Sequence, residues 1–160
     1  MVNMLGILVA AGICLALAGA AQGADALPAS TQDELRERKE IYVATRRASG
    51  EWSAAAPVWF FFEDGVVYFT TSPDSHKGRR IRRGGQVRIS TRGPDGPWLV
   101  GATSLVTDPA LIEHLGNAYG EKYWIAWLGL FRPRVGRVAS GKTLVVKVTP
   151  SDPTDLQPKS

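Results

Sequence analysis

Residues that build reactive centres are scarce in this sequence. It has one cysteine, Cys14, and two histidines, His76 and His114, among 160 residues. Cys14 lies in the apolar front segment, which leaves the rest of the chain without a thiol for a disulfide or a thiolate metal ligand. Two imidazoles without thiolates argue against a zinc or iron site, and no metal is expected. No Ser-His-Asp grouping and no carboxylate pair stands out either. The side chains by themselves therefore point to a protein that binds its chemistry rather than builds it.

Charge is also missing from the front. Met1–Gly23 carries no charged residue, and its Leu, Ile, Val and Ala run closes in small-x-small pairs at Ala18/Ala20, Ala21/Gly23 and Ala24/Ala26. That pattern over residues 1–24 fits a cleaved signal peptide. No Lys or Arg precedes the run, and the run is long enough to span a bilayer, so an N-terminal membrane anchor is the second reading. Either puts the domain outside the cytoplasm, in the periplasm or the extracellular space. A start codon set too early would leave it cytoplasmic. Cys14 lies mid-segment, which excludes a lipoprotein site.

What is present is a basic β-rich domain. The net charge of +4 falls entirely after the front segment and concentrates in Lys77–Arg83. Residues 25–31 read as a linker, and Thr31-x-x-Glu34 as a capping box opening a helix to about Lys39. Strands are expected at Ile41–Arg46, Trp52–Phe62, Val66–Thr71, Gln86–Thr91, Trp98–Val106 and Thr143–Thr149. Asp64-Gly65 joins the second and third as a tight hairpin. Asp108 caps a helix with Pro109 in its first turn, running to about Tyr119. Tyr123–Phe131 is a looser aromatic segment, Arg132–Arg137 a basic turn, and residues 151–160 a disordered tail. Six or so strands with a few helices in residues 32–150 predict a mainly β fold closed into a small barrel.

The helix opened by Ser75 carries the strongest functional signal. At about 100° per residue, Gly78 and Ile81 share the face that meets the core. Lys77 and Arg80 sit three apart at the rim of that face, whereas Arg79, Arg82 and Arg83 point to solvent. Lys and Arg beside a helix start and strand edges suit a phosphate-bearing ligand. On the strand before it, alternation places Trp59 and Phe61 on one face and Phe60 and Phe62 on the other, the latter in the core. Nucleic acid or anionic lipid is the competing reading of the basic run, but no aromatics are interleaved there, and nucleic acid is not an expected partner.

The ordered series Pro57-Val-Trp-Phe60, Asp64-Gly65, Phe69-Thr-Thr71, Asp74-Ser-x-Lys-x-x-Arg-Ile-Arg-Arg83, Tyr119-Gly120 and Lys142-Thr-Leu-Val-Val146 resembles the FMN-binding split-barrel superfamily of pyridoxamine 5'-phosphate oxidase. It is most similar to the coenzyme F-420-dependent (deazaflavin) oxidoreductase group, over about Arg36–Pro150. The resemblance implies a split β-barrel in which Pro57, Val58 and Trp59 line the ring of FMN or coenzyme F-420. It places Phe69, Thr70 and Thr71 near the ring edge and ribityl chain, and Ser75, His76 and Lys77 on the phosphate with Arg80 assisting. It also implies a homodimer with the cofactor between subunits and a hydride transferred to a small substrate. The likeness tips toward the deazaflavin.

The chain departs from the pattern on the first cradle strand, where pyridoxamine phosphate oxidases carry Arg-x-x-x-x-Lys and this one carries no cation. Vitamin B6 oxidation is accordingly not expected. A non-catalytic flavin or haem binder is the alternative function, with His114 as the axial candidate for haem. Tyr119, Tyr123, Trp124, Trp127 and Phe131 read as core and dimer contact, or else as a wall over the ring. Arg132 or Arg134 could reach a neighbouring subunit's phosphate.

Overall fold

Six antiparallel strands close on themselves in a computed structural model that describes residues 27–123 and 132–151. The front segment, the residues Trp124, Trp127 and Phe131, and the tail beyond Ser151 lie outside the described residues. In chain order the strands are β1 (Glu40–Thr45), β2 (Ala56–Glu63), β3 (Val66–Thr71), β4 (Val87–Ser90), β5 (Leu99–Leu105) and β6 (Leu144–Ser151). Around the barrel they run β1-β2-β3-β6-β5-β4, and β4 pairs with β1 to close it. Helix α1 (Ala29–Glu37) precedes β1, α2 (His76–Arg82) joins β3 to β4, and α3 (Pro109–Lys122) and α4 (Val135–Ala139) lie between β5 and β6.

Local sequence sets the corners. Asp64 and Gly65 both take positive φ, 50° and 76°, the geometry that turns β2 directly into β3. The Asp108 carboxylate accepts from the Ala110 and Leu111 amides with Pro109 in the first turn, so α3 starts where expected. It runs three residues past Tyr119, to Lys122.

Three expectations are corrected. The linker does not extend to Thr31, because α1 begins at Ala29 behind Pro28 and has no side-chain cap. Glu34 is drawn away from a capping role by distant partners. Thr91 Oγ1 donates to it at 2.7 Å, and the Arg92 guanidinium bonds both its oxygens. Residues 132–137 are not simply a turn, since α4 starts at Val135.

The core follows the alternation of the strands. Ile41, Val43, Phe60, Phe62, Val67, Phe69, Val87, Ile89, Val146 and Val148 point inward and exclude water. A second cluster lies outside the barrel wall, where Ile112 and Leu115 of α3 cover Tyr68 and Val145. One outer face of the barrel is thus roofed by α3, and α2 contacts β1 and β5.

Candidate functional site

Helix α2 is seated by serine hydroxyls and one glycine. Ser75 Oγ accepts from the Gly78 amide at 2.9 Å and donates to the Ser72 carbonyl at 2.8 Å. A Cβ on Gly78 would stand 2.0 Å from that carbonyl oxygen, so only glycine lets the helix lie this close to the end of β3. Ile81 enters the core beside it. The seat fixes how far each following cation reaches.

Lys77 and Arg80 are half-buried at the rim of the core, whereas Arg79, Arg82 and Arg83 are exposed. Burial pushes the Lys77 ammonium down to about 8, because a charge at the core's edge loses water. Its Nζ stands 5.9 Å from the centre of the Phe69 ring. Arg80 donates to Thr45 Oγ1 at 3.1 Å, which ties α2 to the end of β1. Arg79 folds back instead, onto the Asp74 carbonyl and His76 Nδ1.

A hollow of about 380 Å³ opens over this rim. It is lined by His76, Lys77 and Arg80 from α2, Thr45 from β1, and Arg47, Ser53 and Ala54 from the β1–β2 loop. No carboxylate is among these residues. Three cations and an imidazole line it, offset among the described residues by a loose Arg47–Glu51 pair at 3.9 Å, so its charge favours an anion through the cations rather than the helix end. Ser53 holds the loop wall in place by bonding the Thr45 amide through Oγ at 3.0 Å.

A second hollow of about 170 Å³ adjoins the same segment further along, lined by Pro57, Val58, Trp59 and Thr70. The ledge is rigid for a visible reason. Trp59 stacks on Tyr123 with ring centres 4.7 Å apart and planes 4° off parallel. The Tyr119 hydroxyl donates to the carbonyls of Trp59 and Tyr68, at 2.9 and 3.2 Å. The Tyr123 hydroxyl accepts from the Phe60 amide at 3.0 Å and lies 2.6 Å from the Lys39 carbonyl, so it pairs with β2 just before β1 begins. Burial raises both phenols, Tyr123 to about 12 and Tyr119 well above the ordinary phenol value, and both remain neutral donors.

The structure brings His76, Lys77 and Arg80 together at one hollow and Pro57, Val58, Trp59 and Thr70 at the other, while Ser75 lines neither. Ser75 serves instead as the cap of α2, and Thr71 Oγ1 lies 3.2 Å from its hydroxyl. Phe69 does not join them. Its side chain is fully buried in the core, so only its backbone could approach a ligand. Phe60 and Phe62 are core residues as expected, and Tyr119 and Tyr123 are buried too. His114 is exposed and bonded to Glu63 at 2.9 Å, a poor position for an axial ligand. Arg132 donates to Asn117 at 2.8 Å, while Arg134 is exposed.

Sequence reasoning missed the loop wall of Thr45, Arg47 and Ser53, although the pair Arg46-Arg47 just before the Ser49-Gly50 turn was a usable signal. Arg46 bonds the Gly50 carbonyl and Gln86, which leaves Arg47 as the member that faces the hollow.

The fold has counterparts among solved structures. A candidate pyridoxamine 5'-phosphate oxidase from Listeria innocua superposes with a TM-score of 0.54 at 18% identity, covering 77% of this chain and 92% of that one. The general stress FMN/FAD binding protein of Xanthomonas citri matches with a TM-score of 0.52 at 20% identity, covering 76% and 82%. An FAD-binding protein from Mesorhizobium loti matches with a TM-score of 0.52 at 15% identity, covering 79% and 91%. These likenesses establish a common split-barrel fold. No curated protein matches the sequence significantly. The profile of one family, pyridoxamine 5'-phosphate oxidase, matches residues 27–153, nearly everything after the front segment, and the chain belongs to that family.

Proposed function

We propose that the protein holds a flavin or deazaflavin, FMN or coenzyme F-420, and serves as an oxidoreductase toward a small substrate. The observation that carries this reading is the carboxylate-free hollow of Arg47, His76, Lys77 and Arg80 beside the stacked ledge of Pro57, Val58 and Trp59. The cations fit a phosphate, and the ledge offers an apolar edge for a ring. The binding named for the Xanthomonas citri and Mesorhizobium loti proteins supports the same class of ligand.

Such a cofactor would supply the hydride-transfer centre itself. The chain's own residues bind and orient. Lys77 and Arg80 would hold the phosphate by charge-assisted hydrogen bonds, and Arg80 stays in register through Thr45. Trp59, clamped by Tyr123 and by the Tyr119 hydroxyl, would keep the ring edge from sliding along β2. Vitamin B6 is not the substrate we propose, because β2 from Pro57 to Phe62 offers no cation to hold it.

At about 170 Å³ the ring hollow covers one side of a tricyclic ligand at most, so a second copy of the chain would close it. Arg134, exposed at the start of α4, is the residue free to reach across. Secretion or anchoring through residues 1–24 remains part of the proposal. Fluorescence titration of the purified protein with FMN and with coenzyme F-420 tests the reading. Saturable binding of either supports it, and binding of neither overturns it.

A further inference from the structure

We infer that the hollow over α2 takes a ligand with at least two anionic groups, a diphosphate or a phosphodiester bearing a further acid, rather than a terminal monophosphate. The inference rests on the cofactor reading above and narrows it to a tailed cofactor. Two observations carry it, one of size and one of charge.

The hollow measures about 380 Å³. A single phosphate takes the space of a few waters, each ~30 Å³, so the open hollow has room for a longer anion beside solvent. The charge points the same way. Arg47, Lys77 and Arg80 line the hollow together with His76, and no carboxylate lies among them. One phosphate monoester brings about −1.5 to −2 charge at pH 7, which Lys77 and Arg80 already match. Arg47 stands on the other wall, on the β1–β2 loop, and is surplus to that pairing. Its one ion pair among the described residues, with Glu51, is loose at 3.9 Å and exposed, so the guanidinium is available to a ligand. Ser53 fixes the same wall through the Thr45 amide. The ligand would thus run from the Pro57–Trp59 ledge, past Lys77 and Arg80 with its first phosphate, to Arg47 with its second acid.

The two walls give the two anionic groups separate residues, which makes the inference testable apart from the flavin. Thermal unfolding of the full chain is followed with inorganic phosphate, with pyrophosphate and without either, at equal ionic strength. Pyrophosphate is expected to bind about tenfold tighter than phosphate, and Arg47→Ala to remove that margin while leaving the phosphate response within twofold. Equal responses to the two anions, or an Arg47→Ala effect of the same size on both, would overturn the inference whatever the flavin result.

Flavin titrations then separate the two claims. Riboflavin, FMN, FAD and coenzyme F-420 are compared on wild type and Arg47→Ala. The expected outcome is that FAD or coenzyme F-420 binds about tenfold tighter than FMN and loses that gain in the variant. FMN binding as tightly as both tailed forms would contradict the inference while upholding the cofactor reading. Which of FAD and coenzyme F-420 gains more distinguishes the diphosphate from the acid-bearing phosphodiester.

Discussion

The two faces of α2 use the same residue types for opposite ends. Lys77 and Arg80 lie against the barrel rim, half-buried, without a carboxylate partner among the described residues, and line a hollow. Arg79, Arg82 and Arg83, one to three residues away in sequence, stand in water. An exposed cation is stabilised by solvent and contributes little. A cation at the rim has lost part of its water, and the free-energy cost of that loss is offset only when an anion arrives. Position against the core, not the count of basic residues, thus decides which cations the proposed reading assigns to a ligand. Lys122 sharpens the point. It too is pushed down to about 8 by burial, with Nζ 3.9 Å from the Phe60 ring centre, but it lines neither hollow of the candidate site.

Breaking the seat of α2 should erase the contrast altogether. Gly78→Ala forces a Cβ into the Ser72 carbonyl, and is expected to lower stability by about 3 kcal/mol in denaturant unfolding and to abolish ligand binding. Lys77→Ala leaves the fold in place and should weaken cofactor binding by about 1.5–3 kcal/mol, read by titration.

The pH dependence separates the two buried lysines. Lys77 and Lys122 sit at about 8 when folded, against 10.5 for an ordinary lysine. Between those values the unfolded chain binds more protons, so stability of the ligand-free protein should rise with pH from about 8 toward 10. Above that, Tyr119 and Tyr123, held neutral by burial, reverse the trend as they ionise in the unfolded chain. Lys77→Met and Lys122→Met should each flatten part of the rise in chemical unfolding. Wild type should lose cofactor affinity above pH 8 as the Lys77 ammonium loses its charge, and only Lys77→Met should also remove that loss. Arg82→Ala should change stability and affinity by under about 0.5 kcal/mol in the same assays, the smallest effect of the series.

Much of the fold was legible because its signals are local. Asp64-Gly65, the Ser75 cap and the Asp108-Pro109 start each act within four residues, and all three appear where the sequence puts them. The face of α2 was legible too, since helical rotation alone separates Gly78 and Ile81 from the arginines. Thr31 and Glu34 misled for the opposite reason. The partners that draw Glu34 away, Thr91 and Arg92, lie 57 and 58 residues further along and only the barrel brings them near. The loop wall of Arg47 and Ser53 was hidden likewise, because its place opposite α2 depends on the pairing of β1 with β2 and β4. Tyr123 looked like one more aromatic in a cluster. That its hydroxyl pairs with β2 follows from where β1 begins, which no spacing in the sequence encodes.

The most direct test of the account compares wild type, Lys77→Ala and Arg82→Ala by fluorescence titration with FMN and coenzyme F-420 at pH 7. The account predicts saturable binding of at least one cofactor, weakened about ten- to a hundredfold by Lys77→Ala and unchanged by Arg82→Ala. Binding of neither cofactor, or an equal loss in both variants, would contradict it.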